Sequence, residues 1–461
     1  MIERDTIAAI STPAGTGAIA VVRISGPQSY GILEQIFSSS SKELKKVDLR
    51  KPGSHKAIHG YIYNPQKAIF IDEVVCICYR APNTYTGDDL IEINCHGSPL
   101  ITEEVLALLL STGARLALPG EFTKRAFLSG KMDLTQAESV LDLIQAKTGR
   151  QSRLALSALE GHIGRKIAEV RGELLALLSK LIAGIDFPEE VGELPRDDIE
   201  AVVESAIDRL NKLARTTRSG RFLREGLKLS LVGRPNAGKS SLLNRLLCFD
   251  RAIVSDTPGT TRDSIEELLD LNGVPVTLID TAGIRVTDDS IEIAGIERTT
   301  RAIKESDLTL FIVDSTIPFE EPEEKILELI DNAPYILVWN KIDLSKKDPD
   351  QINGSQTVAT VPISAVTGEG LDRLSEEIEK WALTGNALVE TGGSLNQRQG
   401  ELCRKATISL EEVLKASALG MLEDCIATDL KSAIHSLSEA CGDEVTEEVI
   451  TEVFSRFCIG K

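Results

Sequence analysis

The chain has 461 residues, 42% hydrophobic and 26% charged, with 70 acidic against 51 basic residues and a formal charge of −19. That length favours two or three domains over one, and no run approaches the roughly 18 apolar residues of a membrane-spanning helix. The negative charge and the 4% aromatic content argue against a surface that binds free nucleic acid, so any RNA contact must use a local basic patch or a partner's surface.

The first residues, "MIERDTIAAISTPAG", carry charges and no long apolar core, so no secretory leader is expected. The 8 cysteines are scattered; Cys76 and Cys78 form C-x-C without a second pair at zinc spacing. A cytoplasmic, reduced protein with no structural metal cage is the simplest expectation. Residues 1–118 alternate short β-rich runs such as "AIAVVRISG" and "DLIEINCHGS" with Gly/Pro turns, the texture of an α+β domain. Residues 119–220 read as helical. Leu159, Ile163, Ile167, Val170, Leu174, Leu177 and Leu181 recur every three or four positions and predict one amphipathic helix. "DFPEE" should end it, because Pro188 disfavours helical geometry at Phe187. A second helical stretch is predicted over roughly 195–218. Over 221–384, strands "LKLSLVG", "VPVTLID", "LTLFIVDS", "YILVWNKID" and "TVPIS" alternate with helical patterns, which predicts a parallel, doubly wound sheet. Helical periodicity returns within 385–461. The expected fold is therefore multidomain: an α+β N-terminal domain, an all-α helical domain, and an α/β P-loop domain of the Ras-like kind inserted into it.

"GRPNAGKSS" (233–241) fits G-x-x-x-x-G-K-[ST], follows an apolar strand and precedes a helical pattern. Gly233 and Gly238 let the backbone wrap phosphates, Lys239 reaches the β and γ phosphates, and Ser240 can ligate Mg²⁺. "NKID" (340–343) ends the strand "YILVW". The Asp343 carboxylate can accept from guanine's ring N–H and exocyclic amine, whereas adenine would leave it unpaired. Asn340 and Lys341 are expected to pack the base, with "SAVTG" (364–368) as a supporting loop. "DTAG" (280–283) and "GTTRD" (259–263) read as switch segments: Asp280 holds Mg²⁺ through water, Thr261 completes its shell, and Gly283 faces the γ-phosphate. The expected GTP contacts are Asn236, Ala237, Gly238, Lys239, Ser240 and Ser241; Ser255, Asp256, Thr257, Pro258, Gly259, Thr260 and Thr261; Asp280, Thr281, Ala282 and Gly283; and Asn340, Lys341, Asp343, Ser364 and Ala365.

Ile284 follows "DTAG", where many GTPases use a water-orienting glutamine. Within "DDSIEIAGIER" (288–298), Glu292 is the best replacement, although an acidic helix start is commonly just solvated. Arg262 and Arg285 are candidate charge-neutralising arginines. Asn236 offers another route: its side-chain oxygen, with backbone oxygens of a folded 255–260 loop, can hold a K⁺ ion beside the β and γ phosphates.

On the stretches "DTIAAISTPAGTGAIAVVRISGP", "PNTYTGDDLIEINCHGSP", "LPGEFTKRAFLSGKMDLTQAE", "AGIDFPEE", "GRPNAGKSSLLN", "SDTPGTTRD", "DTAGIR" and "FCIGK", the chain resembles the tRNA modification GTPase MnmE (TrmE) family over essentially its full length. The resemblance implies a homodimer joined through N-terminal domains, with G domains that approach one another using K⁺. It implies a flavin-dependent partner (MnmG/GidA-like), together a heterotetramer, acting on the wobble uridine of tRNA at carbon 5, with no membrane involved. It implies 5-formyl-tetrahydrofolate contacts at Arg23, Glu92, Lys131 and Lys461, and a K⁺ site of Asn236, Ser255, Thr257 and Thr260. Glu292 matches the family's water-positioning glutamate. Ser255 and Pro258 stand where relatives vary, and Ser98 stands where a second glycine is common. A carboxylate such as Glu92 can grip the pterin's amide-amidine edge, and the anionic glutamate tail suits Arg23, Lys131 or Lys461; without the resemblance, Arg23 and Lys131 would read as surface charges.

Cys458 stands fourth from the end, in "CIGK". Gly460 is not aliphatic and no polybasic stretch accompanies it, which argues against prenylation. Two readings remain, a small buried hydrophobe at a helix end and a functional thiol with Arg456 or Lys461 favouring thiolate; the resemblance favours the second, as a catalytic residue. The leading function is a GTP-hydrolysing component of a tRNA-modifying complex. The alternatives are a ribosome-assembly GTPase, which usually carries a second G domain or a C-terminal GxxG loop, and a purely regulatory switch.

Overall fold

The structure, a computed structural model, describes residues 5–43, 45–51, 53–192, 194–249, 267–279, 292–330, 333–345, 356–383 and 393–461. The chain divides into two compact units, Met1–Leu141 with Cys441–Lys461, and Asp142–Ala440.

The first unit is built on a seven-stranded sheet of order β3-β4-β5-β6-β2-β1-β7. Its strands are β1 (Ile7–Ile10), β2 (Ile19–Ser25), β3 (Phe37–Ser38), β4 (Lys56–Asn64), β5 (Ile69–Tyr79), β6 (Leu90–His96) and β7 (Arg115–Leu116). The β-branched runs read from the sequence alternate as a half-buried sheet requires: Val74, Cys76 and Cys78 of β5, and Ile91, Ile93 and Cys95 of β6, point into the core. Helices α1 (Ser29–Ile36) and α2 (Pro99–Ser111) supply Tyr30, Ile32, Leu33, Val105 and Leu109 to the same core. β2 and β6 pair antiparallel with Arg23 directly opposite Glu92. A smaller core joins α3 (Glu121–Leu128), α4 (Leu134–Gln145) and the last helix through Phe127, Leu134, Ala137, Phe454 and Phe457.

In the second unit, α5 (Gly149–Leu159), α6 (His162–Asp186), the single turn α7 (Pro188–Val191) and α8 (Arg196–Glu225) precede the α/β region. The apolar stripe from Ile163 to Leu181 is buried on α6, which stops at Asp186 as the proline predicts. The stripe is not one helix from Leu159. Gly161 adopts φ +78, a left-handed conformation that an α-helix cannot pass through, so Leu159 closes α5 instead. The sheet has order β13-β12-β11-β8-β10-β9. It comprises β8 (Leu227–Val232), β9 (Glu267–Leu271), β10 (Val274–Ile279), β11 (Leu308–Asp314), β12 (Tyr335–Asn340) and β13 (Thr357–Pro362), with α9 (Lys239–Phe249), α10 (Glu292–Glu305) and α11 (Glu321–Ile330) between them and α12 (Leu371–Ala382) after β13. Five strands run parallel, as the sequence predicts; β9 is antiparallel to β10. Asn272 at φ 51 and Gly273 at φ 87 supply the two left-handed positions of a tight hairpin turn, and that turn adds the antiparallel edge. The chain then returns to helices in α13 (Gln397–Ala418) and α14 (Glu423–Cys441), with α15 (Glu447–Ser455) closing the first unit. Asn396 and Gln399 form a reciprocal capping box at the start of α13.

Candidate functional site

β8 and α9 are joined by the loop 233–238, whose backbone explains its composition. Gly238 has φ +100, and a Cβ there would strike the Asn340 amide nitrogen. A Cβ at Gly233, φ +158, would strike the carbonyl of Ile312 on β11. Asn236 takes φ 63, a left-handed conformation that asparagine tolerates better than most residues. Lys239 Nζ donates to the carbonyls of Gly233 and Arg234, both at 2.7 Å, and so closes the loop on itself. Burial of Lys239 lowers its pKa, because a desolvated ammonium lacks the hydration it has in water. A phosphate in the loop would meet that cation and the start of α9, and would compete with the two carbonyls for it. Ser240 and Ser241 are exposed at the first turn of α9.

The Asn–Lys–x–Asp segment ends β12. Asn340 is 1% exposed. Its Nδ2 donates to Ala237 O at 2.8 Å, and its Oδ1 accepts from Ala365 N at 3.0 Å. The residue expected to pack the base is thus also the tie between phosphate loop and supporting loop. Ser364 is buried beside it, its Oγ accepting from Thr367 N at 3.1 Å. Lys341, at φ 68, reaches Asp314 Oδ2 at 2.5 Å. Asp314 sits at the end of β11 and also accepts from Thr316 N at 2.9 Å and Thr316 Oγ1 at 2.6 Å. Burial would raise its pKa, but the bonds from Lys341 and Thr316 outweigh that and hold the carboxyl below its usual range. Asp343 is exposed at the mouth of this group, open to a base edge. Arg234 is paired with buried Glu323 at 3.0 Å. Sequence reading missed Asp314 and Glu323; the register that sets Asp314 opposite Asn340 is the signal, and it exists only once β11 and β12 are paired.

Ser255, Asp256, Thr257, Pro258, Gly259, Thr260, Thr261, Arg262, Asp280, Thr281, Ala282, Gly283, Ile284 and Arg285 lie outside the described residues. Glu292 opens α10, and its side chain also lies outside them.

A second polar cluster lies on the sheet of the first unit. Arg23 donates to Glu92 Oε1 from Nη2 at 2.6 Å and from Nε at 3.2 Å, and Tyr79 Oη donates to Glu92 Oε2 at 3.1 Å. The Arg23 guanidinium also lies 5.7 Å from the Tyr85 ring and 5.6 Å from the Phe122 ring, within cation–π reach. The end of the chain comes to the same place. Ser11 Oγ donates to Gly460 O at 3.0 Å, and Phe122 N donates to Lys461 O at 3.1 Å. Gly460, φ +96, lies too close to the Ile10 carbonyl to carry a Cβ. Lys461 is held below the usual lysine range by burial first and by the neighbouring Arg23 charge second, while Glu92 acts in the opposite sense. Arg23, Glu92 and Lys461, far apart in sequence, therefore lie in one polar cluster. Lys131 flanks the loop before β6, where a Cβ on Gly87 would lie 3.8 Å from its Cε; no described hydrogen bond joins it to the other three. Glu92 already accepts three hydrogen bonds of the roughly four a carboxylate can take, so a two-point grip on a pterin edge requires Arg23 or Tyr79 to yield one. Sequence reading missed Tyr79, Tyr85 and Phe122, for which only strand register and the loop 80–89 could have given a signal. Cys458 is exposed, and its carbonyl accepts from Gly120 N at 3.4 Å.

Among the described residues no helix is long and apolar enough to cross a membrane.

A phosphate loop between β8 and α9, braced by an Asn–Lys–x–Asp strand end on a doubly wound sheet, defines a P-loop GTPase. Family models match residues 6–131 as "GTP-binding protein TrmE N-terminus" and residues 134–458 as "MnmE helical domain". The chain belongs to the MnmE (TrmE) family of tRNA modification GTPases. It is 42% identical to the tRNA modification GTPase MnmE of Thermoanaerobacter pseudethanolicus, covering 99% of each chain. It is 43% identical to the protein of that name from Moorella thermoacetica, covering 99% of each, and 43% identical to that of Streptococcus pneumoniae, covering 100% of this chain and 99% of the other. Among solved structures, the G domain of the T. maritima FeoB iron transporter is 30% identical over 34% of this chain and 98% of its own, with a TM-score of 0.26.

Proposed function

We propose that this GTPase is the GTP-hydrolysing subunit of a cytoplasmic complex that modifies C5 of the tRNA wobble uridine with an aminomethyl-type group. Its flavin-dependent partner carries the redox chemistry, and the two form a heterotetramer around a homodimer of this chain. In this reading residues 1–118 bind folate and dimerise, 119–220 and 385–461 form the helical domain with the Cys458 tail, and 221–384 form the G domain. A tetrahydrofolate derivative, when bound, supplies the one-carbon unit. The observation that carries the reading is the meeting of Arg23, Glu92 and Lys461 in one cluster of a chain that also holds a phosphate loop. Its groups fit the ligand: a carboxylate to accept from the pterin edge, and two cations for an anionic glutamate tail. Cys458 is the candidate thiol beside it.

In the G domain, Lys239, the loop amides and Ser240, with Mg²⁺, neutralise the phosphates, and Asp343 selects guanine. Asn236, with Ser255, Thr257 and Thr260, holds K⁺, which supplies the positive charge that an arginine supplies elsewhere. Thr261 completes the Mg²⁺ shell and Glu292 orients water. The overall charge of −19 repels free tRNA, so the substrate is delivered on the partner's surface or on a local basic patch.

Titration of 5-formyl-tetrahydrofolate into the full chain tests the folate reading. Saturable binding that Glu92→Gln weakens at least about tenfold is expected, since a neutral amide offers one acceptor where two are needed. Absence of folate binding to the wild-type chain contradicts it and favours a ribosome-assembly or regulatory GTPase. Hydrolysis in KCl should exceed that in NaCl at equal ionic strength; equal rates contradict the cation assignment.

A further inference from the structure

The N-terminus of α5 forms a bracket that holds three separate segments of the second unit. Thr148 caps α5, its Oγ1 accepting from Gln151 N at 3.2 Å, while its hydroxyl donates to Gly273 O at 2.9 Å in the β9–β10 turn. Arg150 lies flat against that turn: a Cβ on Gly273 would fall 3.0 Å from its Cβ and 3.2 Å from its Cδ. Its Nη1 then reaches Glu379 of α12 at 2.6 Å. Gln151 Nε2 donates to Arg224 O at 3.2 Å, in the last turn of α8 just before β8 and the phosphate loop. Thr148 and Gln151 are buried at 5% and 7% exposure, so these are made contacts and not surface coincidences.

The hairpin so held is a stiff element. β10 pairs with β8 on one side and β9 on the other. Its two strands follow "GTTRD" and precede "DTAG" in sequence, the two motifs that answer to the γ-phosphate in GTPases. A strand of five or six residues carries a shift over ~17–20 Å without absorbing it.

We propose that Thr148 and Arg150 are positioning residues through which the nucleotide state is passed to the helical part of the chain, the hairpin acting as the lever and the α5 N-terminus as its seat. This rests on the proposed function, in which GTP hydrolysis serves the modifying complex and its effect must therefore reach the helical part. The bracket joins the hairpin, which stands between the two switch motifs in sequence, to the end of α8, which leads through β8 into the phosphate loop, so a change at one is felt at the other. Neither residue belongs to the phosphate loop, the Asn–Lys–x–Asp segment or the switch motifs, so hydrolysis itself should not need them.

Hydrogen exchange by mass spectrometry on the full chain, with GDP and with a non-hydrolysable GTP analogue, tests this. In the wild type the amides of 149–155 should differ between the two states by at least about threefold. Arg150→Gln, which keeps the cap and frees Glu379, and Thr148→Val should abolish that difference with GTP turnover within about twofold of wild type, and Thr148→Ser should restore it. Helical amides that respond equally in Arg150→Gln and wild type overturn the bracket alone. A wild-type chain whose helical amides ignore the nucleotide overturns the reading of a driven helical part, and the bracket with it. Turnover slowed about tenfold or more in Arg150→Gln shows a residue that supports the nucleotide site itself, and likewise overturns the coupling role.

Discussion

At the scale of single residues, the nucleotide site is organised by contacts that leave little room for substitution. Asn340 occupies the space a side chain at Gly238 would need, so the glycine of one motif is dictated by the asparagine of another about a hundred residues away. The motif strings are legible in sequence because each residue does a chemical task at fixed spacing. Their mutual bracing, and the roles of Asp314 and Glu323, are not, because they depend on which strands lie side by side. Asp343 is exposed, as the proposed contact with the base requires, and replacing it with Asn should lower GTP affinity at least about a hundredfold while improving that for xanthosine triphosphate. Equal GTP affinity in competition titrations contradicts the base assignment. The thiols divide sharply. Burial pushes Cys78 and Cys95 up to about 11, and burial together with its thiol neighbours pushes Cys76 well above the usual thiol range. Cys425 and Cys458 are exposed. Brief alkylation of the native protein, read by peptide mass mapping, should modify Cys425 and Cys458 and spare Cys76, Cys78 and Cys95 until the chain is unfolded.

At the scale of elements, the helix and strand pattern was readable wherever apolar periodicity ran unbroken, as on α6 and β11. It failed where a backbone conformation intervened: Gly161 split the stripe that began at Leu159, and Asn272–Gly273 turned an edge strand antiparallel. Both are glycine positions with left-handed φ, a signal visible in sequence only as a residue that permits such a turn. An ionic network fastens β7 and α3 to the start of β1: Arg115 bonds Asp5 at 2.7 Å and Glu121 at 2.8 Å, and Arg125 bonds Asp5 at 2.6 Å and Glu121 at 2.9 Å. Asp5 is held below its usual range, chiefly by its hydrogen bond from Arg115. For Glu121 burial acts upward, but Arg115, the Leu118 amide and Arg125 outweigh it. Carboxyls whose folded pKa is depressed stabilise the fold above their unfolded pKa, and that contribution is lost as pH falls through the folded value. Arg115→Met should therefore lower stability at neutral pH and flatten the loss of stability through the acid range, measured by urea unfolding at a series of pH values. An unchanged acid slope contradicts the role given to this network.

At the scale of the whole molecule, the chain carries a GTPase phosphate loop in one unit and the Arg23–Glu92–Lys461 cluster in the other. Family resemblance named Arg23, Glu92 and Lys461; strand register and the stitching of Gly460 and Lys461 onto β1 and α3 explain how they meet. No periodicity in the sequence predicts that meeting, because it depends on a C-terminal tail returning to the first strand. The coexistence of the two sites is the physical content of the proposed function: nucleotide turnover in one unit serves one-carbon chemistry in the other. The most direct test is nucleoside mass spectrometry of tRNA from cells lacking this chain, complemented with wild type, Glu92→Gln or Asp343→Asn. The account predicts that the C5 substituent on the wobble uridine disappears without the chain, returns with wild type, and stays absent with either variant. Full wobble modification in cells lacking the chain would contradict it.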